Sequence, residues 1–459
     1  MKQPNWQTLQ GMKIIILGAG IIGTSTAWHL LQLGHDVTVV DRQPDAALET
    51  SYANAAQISV SYCEPWANKH APMKALKWMF DKEAPLLLRP HVDPQQWSWL
   101  TKFLAECNDR SFARNVQQIV ALGAYSHTAL KDVVAQTGIQ FNRLERGIAH
   151  FFTSDAAVED AQQAVDLMRQ YGVNRRMVST EEFLQIEPAF KPYAAQIKGG
   201  TFTESDESGD ARVFTQKLAQ LCAQGGVQFL YNHSVQRLNM AGGAIESVAV
   251  RAHSSGIAAG FDAQEQVLKG DAVIVACGSY TAPLLRTVGV NVAIYPGKGY
   301  SATLPILRPE AAPFVSCIDD GNKLAMSRLG NQLRVAGTIE LNGFDTSLDS
   351  PLAKARCHML ARRVEELMPG VCDTRLPEQG GNPQFWTGLR PATPTNIPYI
   401  GRTKVGKLWI NAGHGTLGWT HGAGSGKAMA ELISGRVPEM PFGFYGFEGA
   451  GARQAAFAS

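Results

Sequence analysis

Apolar and polar positions alternate in blocks that predict the elements directly. Lys13–Leu17 (KIIIL) is a short apolar run of the kind a buried parallel strand needs. A helix is predicted from Ile21 to about Gln32, Gly34 stops it, and Asp36–Val40 (DVTVV) is a second strand. Two helical patterns follow between Pro94 and Gln136. One carries Trp97, Leu100, Phe103 and Leu104, the other Val116, Ile119, Val120 and Leu130. Gly147–Thr153 reads as a strand, Asp155–Tyr171 as a helix opened by Ser154, and Lys198–Thr203 as a further strand. A helix from about Ala211 to Gln224 ends at Gly225-Gly226. Val227–Tyr231 is then a strand that continues into Ser234–Leu238, and Ile245–Arg251 pairs with Glu265–Lys269 as a hairpin. Asp271–Ala276 (DAVIVA) is another apolar strand, ending in the small residues Cys277-Gly278-Ser279.

The second half changes character. Ala293–Tyr295, Gly299–Leu304, Lys323–Leu329 and Gln332–Gly337 are strands separated by Gly and Pro, which predicts an antiparallel sheet. A helix from about Pro351 to Met368 follows. Leu408–Asn411 is a strand, and Gly413–Trp419 is a glycine-rich turn into a helix reaching Ser434, capped by Gly435. The expected fold class is therefore α/β with an α+β second domain. A discontinuous Rossmann-like domain with a parallel sheet is built from 11–65, 204–285 and 395–440. A domain with a mixed or antiparallel sheet is built from 66–203 and 286–394, and 441–459 is a tail.

Composition narrows the classes. The 459 residues carry a formal net charge of +2, so no broad electrostatic case for nucleic acid exists. No apolar run is long enough to span a bilayer, and residues 1–12 lack the apolar core of a signal peptide, which predicts a cytoplasmic protein. Seven scattered cysteines without C-x-x-C fit reduced, mostly buried thiols. The segment 66–90 alternates Lys69, Lys74 and Lys77 with large apolar residues and ends in Leu86, Leu87 and Leu88. It reads either as a basic amphipathic helix lying in a membrane interface or as a helix packed on its own domain. The acidic loop Glu204–Asp210 fails as a calcium site, because Ala211 and Lys217 stand where glycine and glutamate are required; helix capping is its expected job. GAGSGK at 422–427 is not a phosphate loop, since Ala428 stands where Ser or Thr must hold magnesium. No metal site is expected.

The candidate chemistry begins at Gly18, Gly20 and Gly23, a G-x-G-x-x-G between a strand and a helix. Gly18 allows the tight turn, Gly20 admits a pyrophosphate, and Gly23 lets helix and sheet approach. Ile21 and Ile22 open the helix, whose free N–H groups and dipole suit phosphate. Asp41 ends the second strand, where an acid takes ribose hydroxyls. Together these predict dinucleotide binding. The small residues Gly422, Ala423, Gly424 and Gly426 leave room for something large against the last helix.

LGAGIIG at 17–23, VTVVDR at 37–42, ETSYANAAQIS at 49–59, YPGKGYS at 295–301, FWTGLRPATP at 385–394 and GHGTLGWT at 413–420 lie in one order along nearly the whole chain. In them the chain resembles the D-amino acid oxidase-like family of FAD-dependent oxidoreductases, and within it the bacterial D-amino acid dehydrogenase small-subunit branch. Gly297 stands where the family pattern has leucine, and Ala56 where it has glycine. The resemblance implies non-covalent FAD, because no cysteine lies between Cys372 and the C-terminus to attach it. Gly18, Gly20, Ile21, Ile22 and Gly23 would meet its pyrophosphate, Asp41 and Arg42 its ribose side, and Val235 and Gly278 the adenosine half. Ser51, Asn54 and Ala55 would run along the isoalloxazine or its ribityl chain, with Gly413, Gly415, Thr416, Leu417 and Gly418 near flavin N1 and O2. It implies hydride transfer from Cα to flavin N5, giving 2-oxo acid and ammonia from D-amino acids. Arg390 would fork onto the substrate carboxylate, or else form a structural salt bridge. Tyr300 would add a hydroxyl there or pack as an ordinary aromatic; Lys298 near the flavin is a weaker candidate, and His414 a supporting hydrogen-bonding residue. The electron acceptor implied is a membrane quinone, which favours peripheral contact through 66–90 at the cytoplasmic face of the inner membrane. An oxygen-using glycine, sarcosine or D-amino acid oxidase, a D-proline or hydroxyproline dehydrogenase, and a non-catalytic flavin-bound subunit stay open.

Overall fold

The computed structural model describes residues 11–73, 85–253 and 264–447. Its first sheet has six strands in the order Tyr399–Arg402, Leu408–Ala412, Ala272–Val275, Lys13–Leu17, Asp36–Val40, Gln228–Leu230. All neighbours run parallel except the Tyr399–Arg402 edge. Ile14 and Ile16 face one side and Ile15 and Leu17 the other, and all four are buried, as a sheet covered on both faces requires. On the first side lie the helices Ile21–Gln32, Ala211–Gln224 and Gly418–Ile433. On the second lies a three-stranded antiparallel sheet, His233–Ala241, Ala244–Ala252 and Glu265–Leu268. Ser234–Leu238 therefore does not continue the preceding strand. Asn232, at φ 57°, turns the chain out of the parallel sheet into this layer.

The second sheet is mixed. Its order is Gln384–Ala392, Tyr295–Pro305, Gln332–Leu341, Leu324–Leu329, Ser316–Asp319, Ile148–Phe152, Gly199–Thr203, Arg176–Val178. Leu86–Leu88 pairs alongside Ile339–Leu341, so these leucines are sheet residues packed near Trp99 and Tyr295. They do not form an apolar loop offered to a membrane; residues 74–84 of that segment lie outside the described residues. One face of the mixed sheet is apolar: Tyr300, Ala302, Leu304, Val335, Met326, Cys317 and Phe151 pack under helix Pro351–Leu367 and helix Thr180–Ile186. The opposite face is polar. Register places Arg390, Gly299, Ser301, Arg334, Ser327, Ser316, His150 and Thr201 on it.

Residues 50–66 thread between this polar face and the first sheet's helices. Asn54 O accepts from Arg334 Nη1 at 3.0 Å, Ala55 O from Ser327 Oγ at 2.8 Å, and Gln57 Nε2 donates to Ser316 Oγ at 2.8 Å. Asp206 fastens the next turn, accepting from Ser59 Oγ at 2.8 Å and Val60 N at 3.1 Å. Asp210 caps the helix that follows, accepting from Arg212 N and Val213 N, as expected of the acidic loop. The glycines of the last helix serve packing. A Cβ on Gly422 would stand 2.6 Å from Ile21, on Gly424 2.5 Å from Ser126 and on Gly426 2.5 Å from Ser25. What lies against that face is two neighbouring helices, which corrects the expectation of a large ligand there.

Candidate active site

Four turns meet at the carboxyl ends of the parallel strands. Leu17 pairs with both Val40 and Val275, so the turn at Gly18–Gly20, Asp41 and Cys277–Gly278 are neighbours. Val275 pairs with Ile410, which brings Gly413–Gly415 alongside. This end of an open parallel sheet is where ligands bind. The glycines there divide by what a Cβ would strike. On Gly18 it would meet Ala276 O at 2.5 Å, and on Gly23 it would meet Gly18 O at 1.9 Å. On Gly413 it would meet Thr393 at 2.8 Å, so these three are needed by the fold. On Gly20 the nearest atom is Ser51 Oγ at 3.4 Å; on Gly415 and Gly418 it is 3.7 Å away, and on Gly278 nothing lies within 4 Å. These four leave open a cradle that a dinucleotide fits.

The other cofactor candidates sit around that cradle. Ser51 Oγ accepts from Ile21 N at 3.1 Å, at the mouth of the helix that Ile21 and Ile22 open. Asp41 accepts from Ala19 N at 2.6 Å and Gln43 N at 2.8 Å, and burial raises its carboxyl against those bonds. Its carboxylate thus ties strand end to glycine turn. Arg42 pairs with Glu49 at 2.6 Å and lies 4.0 Å over the Tyr280 ring. Asn54 and Ala55 are held by the mixed sheet, as above. Val235 lies two residues along from His233, whose N–H donates to Asp41 O at 2.9 Å. Thr416 is exposed, whereas Leu417 packs with Val60 and Cys63. His414 is buried and pairs with Ser425 Oγ at 2.8 Å; burial holds it far below the usual histidine range, so it stays neutral.

Arg390 is brought to this place by the strand that sequence patterns missed. Gln384–Ala392 contains Gly388 and Pro391, which mask its β signal, and it forms the sheet edge. Leu389 O accepts Thr50 Oγ1 at 2.8 Å and Ser279 Oγ at 3.0 Å, and Pro391 O accepts Gly415 N at 2.9 Å. Loop 49–59, the Gly278 turn and the Gly415 turn therefore all fasten to the backbone beside Arg390. Its guanidinium lies over Gly299, where a Cβ would stand 2.5 Å from Cζ. Opposite Gly299 the register slips between Lys298–Glu340 and Tyr300–Gly337, and Thr338 sits in this bulge at φ 52°. The bulge turns carbonyls toward the arginine: Nη1 donates to Thr338 O at 2.5 Å and Nη2 to Gly337 O at 3.5 Å. Among the described residues no carboxylate pairs with Arg390, and burial lowers its pKa to about 10. A partly accessible cation with only carbonyl partners is a site for an anion.

Tyr300 and Lys298 do not join it. Side chains alternate across a strand, so both point to the face opposite Arg390. Tyr300 Oη donates to Glu340 at 2.6 Å inside the apolar core, and Lys298 Nζ to Asp345 at 3.1 Å. Tyr300→Phe is expected to cost about 1 kcal/mol of stability by removing the bond to Glu340 Oε2, while Arg89 still holds Oε1 at 3.3 Å, with substrate KM within about twofold. Chemical denaturation and steady-state kinetics check this. Gly297 departs from leucine for a visible reason: a Cβ there would stand 2.6 Å from Ile339 Cδ1, which fills the space. Ala56, where the pattern has glycine, adopts φ 61°, the left-handed conformation glycine favours.

The chain matches the family model described as FAD dependent oxidoreductase over residues 13–432. It is 46% identical to a D-amino acid dehydrogenase of Dechloromonas aromatica over 433 residues, 94% of this chain and 99% of that one. Among solved structures it resembles glycine oxidase from Bacillus cereus, with TM-score 0.66 at 19% identity over 92% of this chain and 95% of that one. It also resembles L-proline dehydrogenase from P. horikoshii, with TM-score 0.67 at 15% identity over 94% and 95%. With the open cradle at Gly20, Gly278, Gly415 and Gly418 and the match spanning both sheets, the chain belongs to the DAO family of FAD-dependent oxidoreductases.

Proposed function

We propose that this protein oxidises D-amino acids to 2-oxo acids and ammonia, with 11–65, 204–285 and 395–440 holding FAD and 66–203 and 286–394 holding substrate. The observation that carries this reading is Arg390, a half-buried cation beside the cradle with no acidic partner among the described residues. FAD held there would supply the hydride acceptor, its electrons then leaving to a respiratory quinone or other acceptor. The chain's own residues do the rest. Arg390 takes the substrate carboxylate in a fork, and at about 10 its pKa keeps it charged at neutral pH. Gly299 clears the volume for that fork. The first turn of Gly418–Ile433 offers free N–H groups and the positive end of a helix dipole to the electron-rich edge of the ring system. Gly20 and Ser51 would border the pyrophosphate, in a turn whose shape Gly18 and Gly23 set. That the Dechloromonas aromatica relative is named a D-amino acid dehydrogenase supports D-amino acids, rather than glycine or imino acids, as the substrate class.

Anaerobic titration of the purified protein tests this. D-alanine is expected to bleach the flavin's visible band, and L-alanine, glycine and D-proline to leave it coloured. Bleaching by glycine or D-proline in preference moves the assignment to an oxidase or an imino acid dehydrogenase. Peroxide formed at one per turnover under air excludes a quinone as the main acceptor.

Among the described residues no helix is long and apolar enough to cross a membrane. A peripheral seat on the inner membrane's cytoplasmic face is supported by the exposed apolar side chains of Met73, Trp97 and Leu104, at 71%, 50% and 56% exposed. Co-sedimentation with anionic vesicles is expected, and Trp97→Ser with Leu104→Ser should reduce it.

A further inference from the structure

The polar face of the mixed sheet continues well past Arg390. Register places Ser301, Ala336, Ala325, Ile318 and His150 in one row across five strands. Its near end is floored by small side chains, and Ser301 Oγ is buried with no partner among the described residues. Its far end is polar. His150 is 1% exposed, and its Nε2 likewise has no partner among them. Arg175 Nη2 faces His150 Nδ1 at 3.5 Å; a guanidinium only donates, so the imidazole hydrogen belongs on Nε2. An unused donor therefore waits there.

Residues 61–64 cross over this end. The Tyr62 ring stands edge-on to His150 at 4.8 Å. Arg175 Nη1 reaches Glu64 Oε1 at 3.3 Å, yet 29% of the Glu64 side chain stays accessible. Lys323 pairs with Asp320 at 2.8 Å and is 42% accessible, and its charge acts on Tyr62, Glu64 and His150. Lys323 O lies 2.5 Å from where a Cβ on Gly337 would stand, and Gly337 O is one of the Arg390 partners. The Lys323 end of the cluster is thus about one strand spacing, roughly 5 Å, from the strand that carries the Arg390 partners, and His150 lies two strands farther on. Burial raises the Glu64 carboxyl although Arg175 and Lys323 pull it down, as for a group lining a cleft.

Resting on the D-amino acid reading above, we propose that Tyr62, Glu64, His150 and Lys323 form the side-chain end of the substrate pocket, and that it selects D-amino acids ending in a carboxamide. Two cations, Arg175 and Lys323, are balanced by two carboxylates, Glu64 and Asp320. A charged side chain gains nothing from a balanced set. A neutral amide uses both kinds of group: its oxygen takes the His150 and Lys323 donors, and its NH₂ gives to the free side of Glu64. An aliphatic side chain would leave those groups dry and unpaired, the situation in which sites reject an analogue most strongly.

The test compares kcat/KM of the FAD-loaded protein for D-glutamine and D-asparagine with the similar-sized D-methionine and D-leucine, and with D-glutamate and D-lysine. D-alanine serves as the common control. D-glutamine is expected to exceed D-methionine by about tenfold or more. Glu64→Ala, and independently the more accessible Lys323→Met, should each lower that ratio about tenfold. Calorimetry with glutaramate, the acid lacking the amine, against pentanoate should show the same preference and the same loss. D-alanine turnover with D-methionine equal to or better than D-glutamine, or a ratio unmoved in both variants, overturns this inference alone. No turnover with any D-amino acid, D-alanine included, overturns the underlying reading and this one with it.

Discussion

Arg390→Ala is expected to raise KM for D-alanine by about two orders of magnitude or more. A guanidinium forking onto a carboxylate makes two charge-assisted bonds, each about 1.5–3 kcal/mol, and about 1.4 kcal/mol is tenfold in binding. Arg390 lends itself to a clean measurement because its partners among the described residues are carbonyls at 2.5 and 3.5 Å, so its removal strands no carboxylate there. Stability should fall by about 1 kcal/mol while binding collapses. Arg390→Lys should recover only part of the loss, since an ammonium cannot fork. Gly299→Ala reaches the same end by another route. Its Cβ would stand 2.5 Å from Cζ and push the guanidinium off its seat without removing the charge. Steady-state KM and kcat for the three variants decide the matter. An unchanged KM in Arg390→Ala ends the carboxylate role, and an unchanged KM in Gly299→Ala ends the seat.

Gly20→Val is expected to abolish most FAD binding while the chain still folds. Gly20 has φ −70° and ψ −179°, extended backbone that any residue adopts, and a Cβ there meets only Ser51 Oγ at 3.4 Å. The protein accommodates the side chain, and only the space for pyrophosphate is lost. Gly23→Ala should behave in the opposite sense. Its Cβ would stand 1.9 Å from Gly18 O, so the helix must lift from the strand, at about 1–3 kcal/mol. Flavin absorbance of the purified variants, read with circular dichroism and unfolding midpoints, separates the two. A Gly20→Val protein that purifies with full flavin would remove the cradle from this turn.

The parallel half of the fold was legible because its signals are local. Strand, glycine turn and helix at Lys13–Gln32 occupy consecutive residues, and the apolar runs at Asp36–Val40 and Ala272–Val275 leave no other reading. What escaped depends on distance. Leu86–Leu88 is as apolar as a membrane-facing loop and becomes a strand only because Ile339–Leu341 offers an edge. Gln384–Ala392 carries Gly and Pro, which single-residue propensity counts against a strand, while its position at a sheet edge tolerates both. The site followed the same division. Arg390 and the glycine turns were visible as motifs, but Tyr300 was misassigned because its face depends on strand register, which no spacing within the YPGKGYS motif reveals. Gly299 lies in that same motif, and its purpose appears only when the arginine from the neighbouring strand is laid over it.

The arrangement of the first sheet has a consequence for synthesis. Its middle strand, Lys13–Leu17, is made first, but one neighbour, Ala272–Val275, and the strand beyond it, Leu408–Ala412, come late. The final helix seats Gly422 on Ile21 and Gly426 on Ser25, and Asn411 Nδ2 reaches Thr26 Oγ1 across 385 residues of chain. At about 5–20 residues per second, roughly 20–80 s separate those two partners at the ribosome. For that interval the strand edge and the small-residue groove stand open, and closing them is a contact of very long sequence range, the kind that forms slowly. The earliest-translated strand of this sheet is thus among the last to be completed, and the nascent chain depends on being kept from association until helix Gly418–Ile433 arrives.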